Sequence, residues 1–262
     1  MLTTRIIPCL DVTDGQVVKG IKFAGLRAVG SPADLALLYE QQGADEIVIL
    51  DITATSRNQK TQLETVESVR NVLSIPLTVG GGVRTIEDVQ RLTDAGADRV
   101  SINSAAVDNP ELVTEINERF GQQCTVVAID ARQVEAEQNF GSSKWQVITH
   151  SGTRNAALDV LAWAAQVESL GAGEILLTSF DRDGTRSGYD CDLIQAVTGM
   201  ISIPVIASGG ADNAGHLFEG VESGAAAVLL ASILHDQITT VQKLKTELTQ
   251  MGIPIRNVDT ID

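Results

Sequence analysis

Short runs of apolar, mostly β-branched residues recur along the chain, and a stretch of helical periodicity follows each. Eight such runs stand out: RIIPCLDV (5–12), EIVILDIT (46–53), IPLTVGG (75–81), RVSIN (99–103), TVVAID (125–130), EILLTS (174–179), IPVIASG (203–209) and AVLLAS (227–232). Hydrophobicity that is near-continuous, not alternating, belongs to strands buried on both faces, as in a parallel sheet covered by helices. The segments between carry helix punctuation. Ser31-Pro32 supplies an N-cap and a proline at the first helical position, and Gly43 closes that helix. Thr85 to Asp88 resembles a capping box, Gly96 suits the residue after a helix end, and Asn109-Pro110 opens another helix. Eight strand–helix units in 262 residues predict an α/β fold, a single closed (β/α)8 TIM barrel, with an open doubly wound sheet as the alternative. No linker interrupts the pattern, so residues 1–262 are expected to form one domain. Its half-barrels run roughly over 1–120 and 121–252, with a polar tail over 253–262.

The division into halves comes from an internal repeat. Ile75-Pro76 and Ile203-Pro204 lie 128 residues apart, from 75 to 203. The same offset carries Gly43-Ala44 onto Gly171-Ala172, Glu46 onto Glu174, Gly81-Gly82 onto Gly209-Gly210, Gly96-Ala97 onto Gly224-Ala225, and Ser104 onto Ser232. Each half therefore reads as four βα units, and a barrel built this way carries twofold-related sites.

Ligands of such barrels bind where the strands end. Gly80, Gly81 and Gly82 follow the third strand and Gly209-Gly210 the seventh, where the lack of a Cβ lets backbone amides converge on an anion. The neighbouring strand ends add Asn103-Ser104 in one half and Ala231-Ser232 in the other, hydroxyls and amides at helix starts. A glycine pair alone indicates only a tight turn. Two such constellations at one fixed offset point to two phosphate sites, hence to a long substrate with a phosphate at each end.

Asp11 ends the first strand and Asp130 the fifth, halfway round an eight-stranded ring. Aspartates often end strands merely to cap the next turn. A pair on opposing strands, flanked by two phosphate sites, reads better as acid/base machinery. Asp51 and Asp183 are candidates for the same mouth, Asp183 and Gly184 serving equally well as loop builders. Lys19, in the loop DGQVVKGIKF after the first strand, is a cation placed to contact an anionic substrate from a mobile lid.

Composition narrows the functional classes. A net charge of −15 argues against a nucleic-acid surface. Cys9, Cys124 and Cys191 are odd in number and lack CxxC spacing, so they are expected as reduced, packed thiols of a cytoplasmic protein. His150, His216 and His235 are isolated, with no metal-ligand spacing, so no metal is expected, and no P-loop or Rossmann fingerprint calls for a nucleotide cofactor. No apolar run reaches membrane-spanning length, and with strand-like sequence from Arg5 no signal or transit peptide is expected.

RIIPCLDV with VVKG, TVGGGVR followed by RVSINSAA, VVAIDAR, and GAGEILLTSFDRDGTRSGYD together resemble the cyclase subunit family of imidazole glycerol phosphate synthase, over essentially the whole chain. The resemblance implies a histidine-biosynthesis lyase/cyclase. Such an enzyme uses ammonia to convert a bis-phosphorylated formimino aminoimidazole carboxamide ribonucleotide into imidazole glycerol phosphate and aminoimidazole carboxamide ribonucleotide. It implies Asp11 and Asp130 as the catalytic pair. Gly81, Gly82, Asn103 and Ser104 then hold one phosphate, and Asp183, Gly184, Gly209, Gly210, Ala231 and Ser232 hold the other, with Lys19 in the mobile first loop. Ser104 stands where relatives often have threonine. The resemblance also implies a glutaminase (amidotransferase) partner delivering ammonia through the opposite end of the barrel. Arg5, Glu46, Arg99 and Glu174 would form a salt-bridged gate there, Arg99 replacing a common lysine. Thr78, Ser101 and Thr178 would line a polar path inward, and Asp98 and Gln123 would contact the partner. Two rivals stand beside this reading: the sister isomerase of the same pathway, which needs no ammonia, and a non-catalytic barrel that only activates a glutaminase.

Overall fold

The structure is a computed structural model that describes residues 3–21, 24–52, 63–135 and 143–256. Eight parallel strands close into a barrel: β1 (Arg5–Thr13), β4 (Ile47–Asp51), β5 (Leu77–Gly80), β6 (Arg99–Ile102), β7 (Thr125–Gln133), β10 (Glu174–Ser179), β11 (Val205–Ser208) and β12 (Ala227–Leu230). Each pairs with the next in this order, and β12 pairs back onto β1 in the register Arg5↔Ala227, so no edge remains. The eight sequence runs coincide with these eight strands, which excludes the open sheet.

Helices α1 (Pro32–Gln41), α2 (Leu63–Arg70), α3 (Ile86–Asp94), α4 (Ser104–Asp108), α5 (Glu111–Phe120), α6 (Val160–Ser169), α7 (Cys191–Thr198), α8 (Ala214–Glu222), α9 (Ser232–His235) and α10 (Val241–Gln250) follow the barrel strands. Several begin where the sequence indicates. The Ser31 hydroxyl accepts from the Asp34 amide ahead of Pro32, and Thr85 and Asp88 form a reciprocal capping box. The main core lies between strands and helices, with Ile6, Leu10, Ile49 and Val79 fully buried. A second, smaller cluster fills the barrel itself: Ile7, Cys9, Val48, Val126, Leu176 and Ile206 among others.

The repeat runs deeper than the motifs that reveal it. Glu40 Oε1 accepts from the Ser74 amide (2.9 Å), the Ser74 hydroxyl (2.5 Å) and the Ile75 amide (3.1 Å). Glu168 repeats this at Ser202 and Ile203 with 2.8, 2.6 and 3.2 Å. Each glutamate ties a helix to the approach to the second barrel strand after it, β5 for α1 and β11 for α6, at the offset of 128 (40 to 168).

Four strands lie outside the sequence prediction. β2 (Gln16–Ile21) and β3 (Ala24–Gly30) form an antiparallel hairpin on the end of β1, and β8 (Trp145–Thr149) and β9 (Arg154–Asp159) form its counterpart on β7. The segment expected as a mobile loop bearing Lys19 is therefore a strand. Its signal was present: Asp14 and Gly15 both have positive φ (49° and 74°), the two-residue hairpin turn that Asp-Gly favours. Residues 253–256, expected within a polar tail, are instead docked. Thr4 bridges to Ile255, Ile253 and Ile255 are buried, and the buried Lys245 donates to Asp45 Oδ1 (2.8 Å) and the Arg256 carbonyl (2.9 Å). The remainder of that tail, 257–262, lies outside the described residues. Among the described residues, no helix is long and apolar enough to cross a membrane.

Candidate active site

A cavity of about 410 Å³ opens at the C-terminal ends of the barrel strands. It brings together Asp11, Lys19, Gly81, Gly82, Asn103, Ser104, Asp130, Asp183, Gly184, Gly209, Gly210, Ala231 and Ser232, with Asp51, Ser101 and Thr178 also on its walls. Residues scattered from 11 to 232 thus meet because parallel strands all point one way and end at one rim.

The two carboxylates are equivalent by register. Asp11 sits opposite Leu50 on β4 and Asp130 opposite Thr178 on β10, and 50 and 178 are again 128 apart. Asp11 and Asp130 themselves are only 119 apart. The nine-residue difference falls in the β7–β8 connection, where the first half has only the Asp14-Gly15 turn. Their environments differ. Lys19, from β2, places Nζ 3.3 Å from Asp11 Oδ2, and the Cys9 thiol lies 3.8 Å from Asp11 Oδ1. Burial lowers the Lys19 pKa, but Asp11 and then Asp183 more than offset this, so it is raised and the ammonium is held. Among the described residues, no cation pairs with Asp130. Burial, and then the Asp183 charge, push its pKa up to about 7, opposed by a hydrogen bond from Asn103 Nδ2 at 2.9 Å. The Asn103 side chain is thus turned to a carboxylate, which leaves its backbone at the start of α4.

The glycine pairs have a structural reason that precedes any ligand. Gly81 and Gly209 have φ of 95° and 96°, and an added Cβ would sit 2.2 Å from the Asp51 carbonyl oxygen or 2.7 Å from that of Ser179. Close approach to the neighbouring strand end forces glycine here. Gly209→Ala is expected to destabilise the fold by about 2 kcal/mol, measurable by urea denaturation; an unchanged midpoint would show the contact relaxes freely. What the glycines leave exposed is backbone at the starts of α4 and α9. Their capping residues, Asn103 and Ala231, share an unusual backbone (φ −126°, ψ −84°; φ −134°, ψ −77°) and make no side-chain cap. Each cradle therefore presents helix-terminal amides to the cavity.

The second half's loop is braced by the SGYD segment. Gly188 N donates to the Gly210 carbonyl (2.8 Å), the buried Tyr189 hydroxyl donates to the Leu229 carbonyl (3.0 Å), and Asp190 caps α7. Sequence reasoning missed His150, Ser151, Arg84 and Arg186, which also line the cavity. His150 caps the β8–β9 hairpin with φ of 54°, and its amide donates to Ser104 Oγ at 3.0 Å. The overlooked hairpin was the signal.

At the opposite end of the barrel, Arg5 and Arg99 alternate with Glu46 and Glu174 in a closed ring. Arg5 Nη1 reaches Glu46 at 2.9 Å and its Nη2 bonds Glu174; Arg99 Nη1 lies 3.1 Å from Glu46 and 2.9 Å from Glu174. Thr78 Oγ1 donates to Glu46 Oε1 at 2.5 Å. Burial raises the Glu46 pKa despite both arginines and Thr78. Thr78 thus belongs to the ring, while Ser101 and Thr178 belong to the cavity wall, and the apolar barrel cluster lies between. Asp98 and Gln123 are exposed just ahead of β6 and β7. Asp98 is engaged by Arg70 Nη1 (3.0 Å) and the Leu77 amide (2.8 Å).

Among the described residues no cluster of His, Cys, Asp or Glu is placed to hold a metal. A closed parallel barrel with an acid-lined mouth between two glycine cradles has the architecture of the (β/α)8 enzymes, whose active sites lie at this end of the strands. The chain matches the family model for histidine biosynthesis protein over residues 5–240 and belongs to that family. Both the isomerase and the cyclase of the pathway are members.

Proposed function

We propose that this chain is the cyclase, the ammonia-using subunit of imidazole glycerol phosphate synthase. The observation that carries the choice over the isomerase is the Arg5–Glu46–Arg99–Glu174 ring. An internal rearrangement has no use for a charged closure on the barrel axis, whereas ammonia delivered by a glutaminase would enter there. The substrate spans the mouth, one phosphate at Gly82 and Ser104, the other at Gly210 and Ser232, which fixes its reacting middle over the aspartates. Ammonia adds to the ribulosyl carbonyl, water leaves, the imidazole ring closes and the carbon–nitrogen bond to the aminoimidazole breaks. Asp130, with a pKa of about 7, is suited to donate a proton to the departing oxygen. Asp11, paired with Lys19, is suited to accept one from the added nitrogen.

The test is purified protein with the bis-phosphorylated substrate and an ammonium salt at alkaline pH. Substrate is expected to be consumed, and Asp11→Asn to slow consumption by roughly 100-fold or more. Wild-type inactivity, or an Asp11→Asn variant that matches wild type, would sink the cyclase reading. Turnover of the unrearranged isomer without ammonia would instead assign the isomerase.

A further inference from the structure

Arg186 sits in the β10–α7 loop and lines the cavity beside Gly184, Gly210 and Ser232. Its φ is 59°, a conformation that costs a non-glycine residue about 1 kcal/mol. The guanidinium is held from two sides: Nη2 lies 2.5 Å from Asp236 Oδ2, and Nε 3.7 Å from Asp212 Oδ1. Asp212 follows the Gly209-Gly210 turn and Asp236 follows α9, so both elements that frame the second cradle grip this one cation.

Asp236 has a second role. Its Oδ1 accepts from Arg27 Nη2 on β3, and Arg27 is the direct cross-strand neighbour of Lys19. A continuous chain of charges therefore runs from the second cradle through Arg186, Asp236 and Arg27 to the strand position whose partner, Lys19, reaches Asp11. Part of this clasp recurs in the other half, where Arg154 on the second hairpin bonds Asp108 at 3.0 Å, and 108 and 236 differ by the same 128. The first clasp fastens a hairpin to its cradle. The second does so and also carries a cation to the cavity wall.

Resting on the two-phosphate substrate of the proposed function, we infer that Arg186 binds the phosphate in the second cradle and that Asp236 is the positioning residue that holds it there. A guanidinium offers five donors in a fixed fork, and the carboxylates engage Nη2 and Nε, leaving donors for a phosphate oxygen. Because Asp236 also anchors Arg27, occupancy of this cradle is coupled to the hairpin that places Lys19 against Asp11.

The experiment is titration of the full chain with inorganic phosphate, followed by amide chemical shifts at Gly82 and Ser104 for one cradle and at Gly210 and Ser232 for the other. Wild type is expected to respond at both. Arg186→Gln is expected to weaken the second cradle roughly tenfold and leave the first unchanged, with Arg186→Lys recovering part of the loss. With substrate, Arg186→Gln raises KM by a similar factor and changes kcat less than about threefold. Asp236→Asn, which keeps the Arg186 charge, shifts the Lys19 amide and lowers kcat at an unchanged melting midpoint. Equal phosphate affinity at the second cradle in Arg186→Gln and wild type overturns the assignment of Arg186. An unshifted Lys19 amide in Asp236→Asn overturns the coupling. A wild-type protein that responds at neither cradle overturns the two-phosphate reading itself.

Discussion

Asp130→Asn will slow turnover by about 10²- to 10⁴-fold and, above neutral pH, make the protein more stable. Both effects have one origin. Asp130 lies where burial and the Asp183 charge disfavour its ionised form, so its pKa rises from 3.8 in the unfolded chain to about 7. Between those values the folded protein binds a proton that the unfolded chain has released, and stability falls as pH rises through that window. The contribution is fully present below about pH 4 and lost above about pH 7. Asparagine keeps the shape and still offers an oxygen to Asn103 Nδ2, but it does not titrate. Three pKa units would amount to about 4 kcal/mol; because Asp130 faces the cavity, roughly half of that is expected. Chemical denaturation at pH 4 and pH 8 reads this directly. A variant that gains nothing at pH 8 relative to pH 4 would mean that Asp130 is not held protonated, and the assignment of the proton donor would go with it.

Glu46→Ala is expected to cost about 3 kcal/mol, equivalent to a fall of several degrees in melting temperature for a chain of this size. The carboxylate, 1% exposed, receives Arg5, Arg99 and Thr78 at once. Its removal leaves two guanidinium groups sharing Glu174 and orphans the Thr78 hydroxyl. The arginines are about a quarter exposed and can turn toward water, which keeps the loss at the low end of the range for a broken buried pair. Replacing all four members together (Arg5→Met, Glu46→Leu, Arg99→Met, Glu174→Leu) is expected to fall within about 2 kcal/mol of wild type, since no charge is then left stranded. If the single substitution is no worse than the quadruple one, the ring is not a coupled unit. Under the proposed function, turnover with an ammonium salt should survive Glu46→Ala, because the ring lies at the other end of the barrel from the carboxylates.

The strands of the barrel were legible because their signal is local. An apolar run such as EILLTS must be covered on both faces whatever surrounds it, and Ser31-Pro32 or Thr85 can start a helix only where it stands. The repeat added what single motifs lacked, since Gly81-Gly82 taken alone predicts a turn, and the structure shows that a turn is indeed what its backbone requires. The hairpins on β1 and β7 were missed, although Asp14-Gly15 announced one of them, because their strands are mixed in polarity and pack on the rim outside the barrel wall. His150 and Ser151 were lost with the second hairpin. Arg186 was lost for another reason: in the sequence it is one more charged loop residue, and only its partners distinguish it.

The sequence by itself determined the barrel, its twofold division and the strand ends at which Asp11, Asp130 and the two glycine pairs meet, because each depends on side-chain periodicity or chain spacing. The tertiary structure decided how those residues are used: that Lys19 is a strand residue paired to Asp11, that Asn103 serves Asp130, and that among the described residues a cation pairs with Asp11 and none with Asp130. Those roles rest on interactions between different strands and loops, from Lys19 and Asp11, 8 residues apart, to Asp130 and Asp183, 183 − 130 = 53 apart. Burial and Coulomb energy depend on distances in space, which closure of the barrel sets and no local stretch of chain encodes.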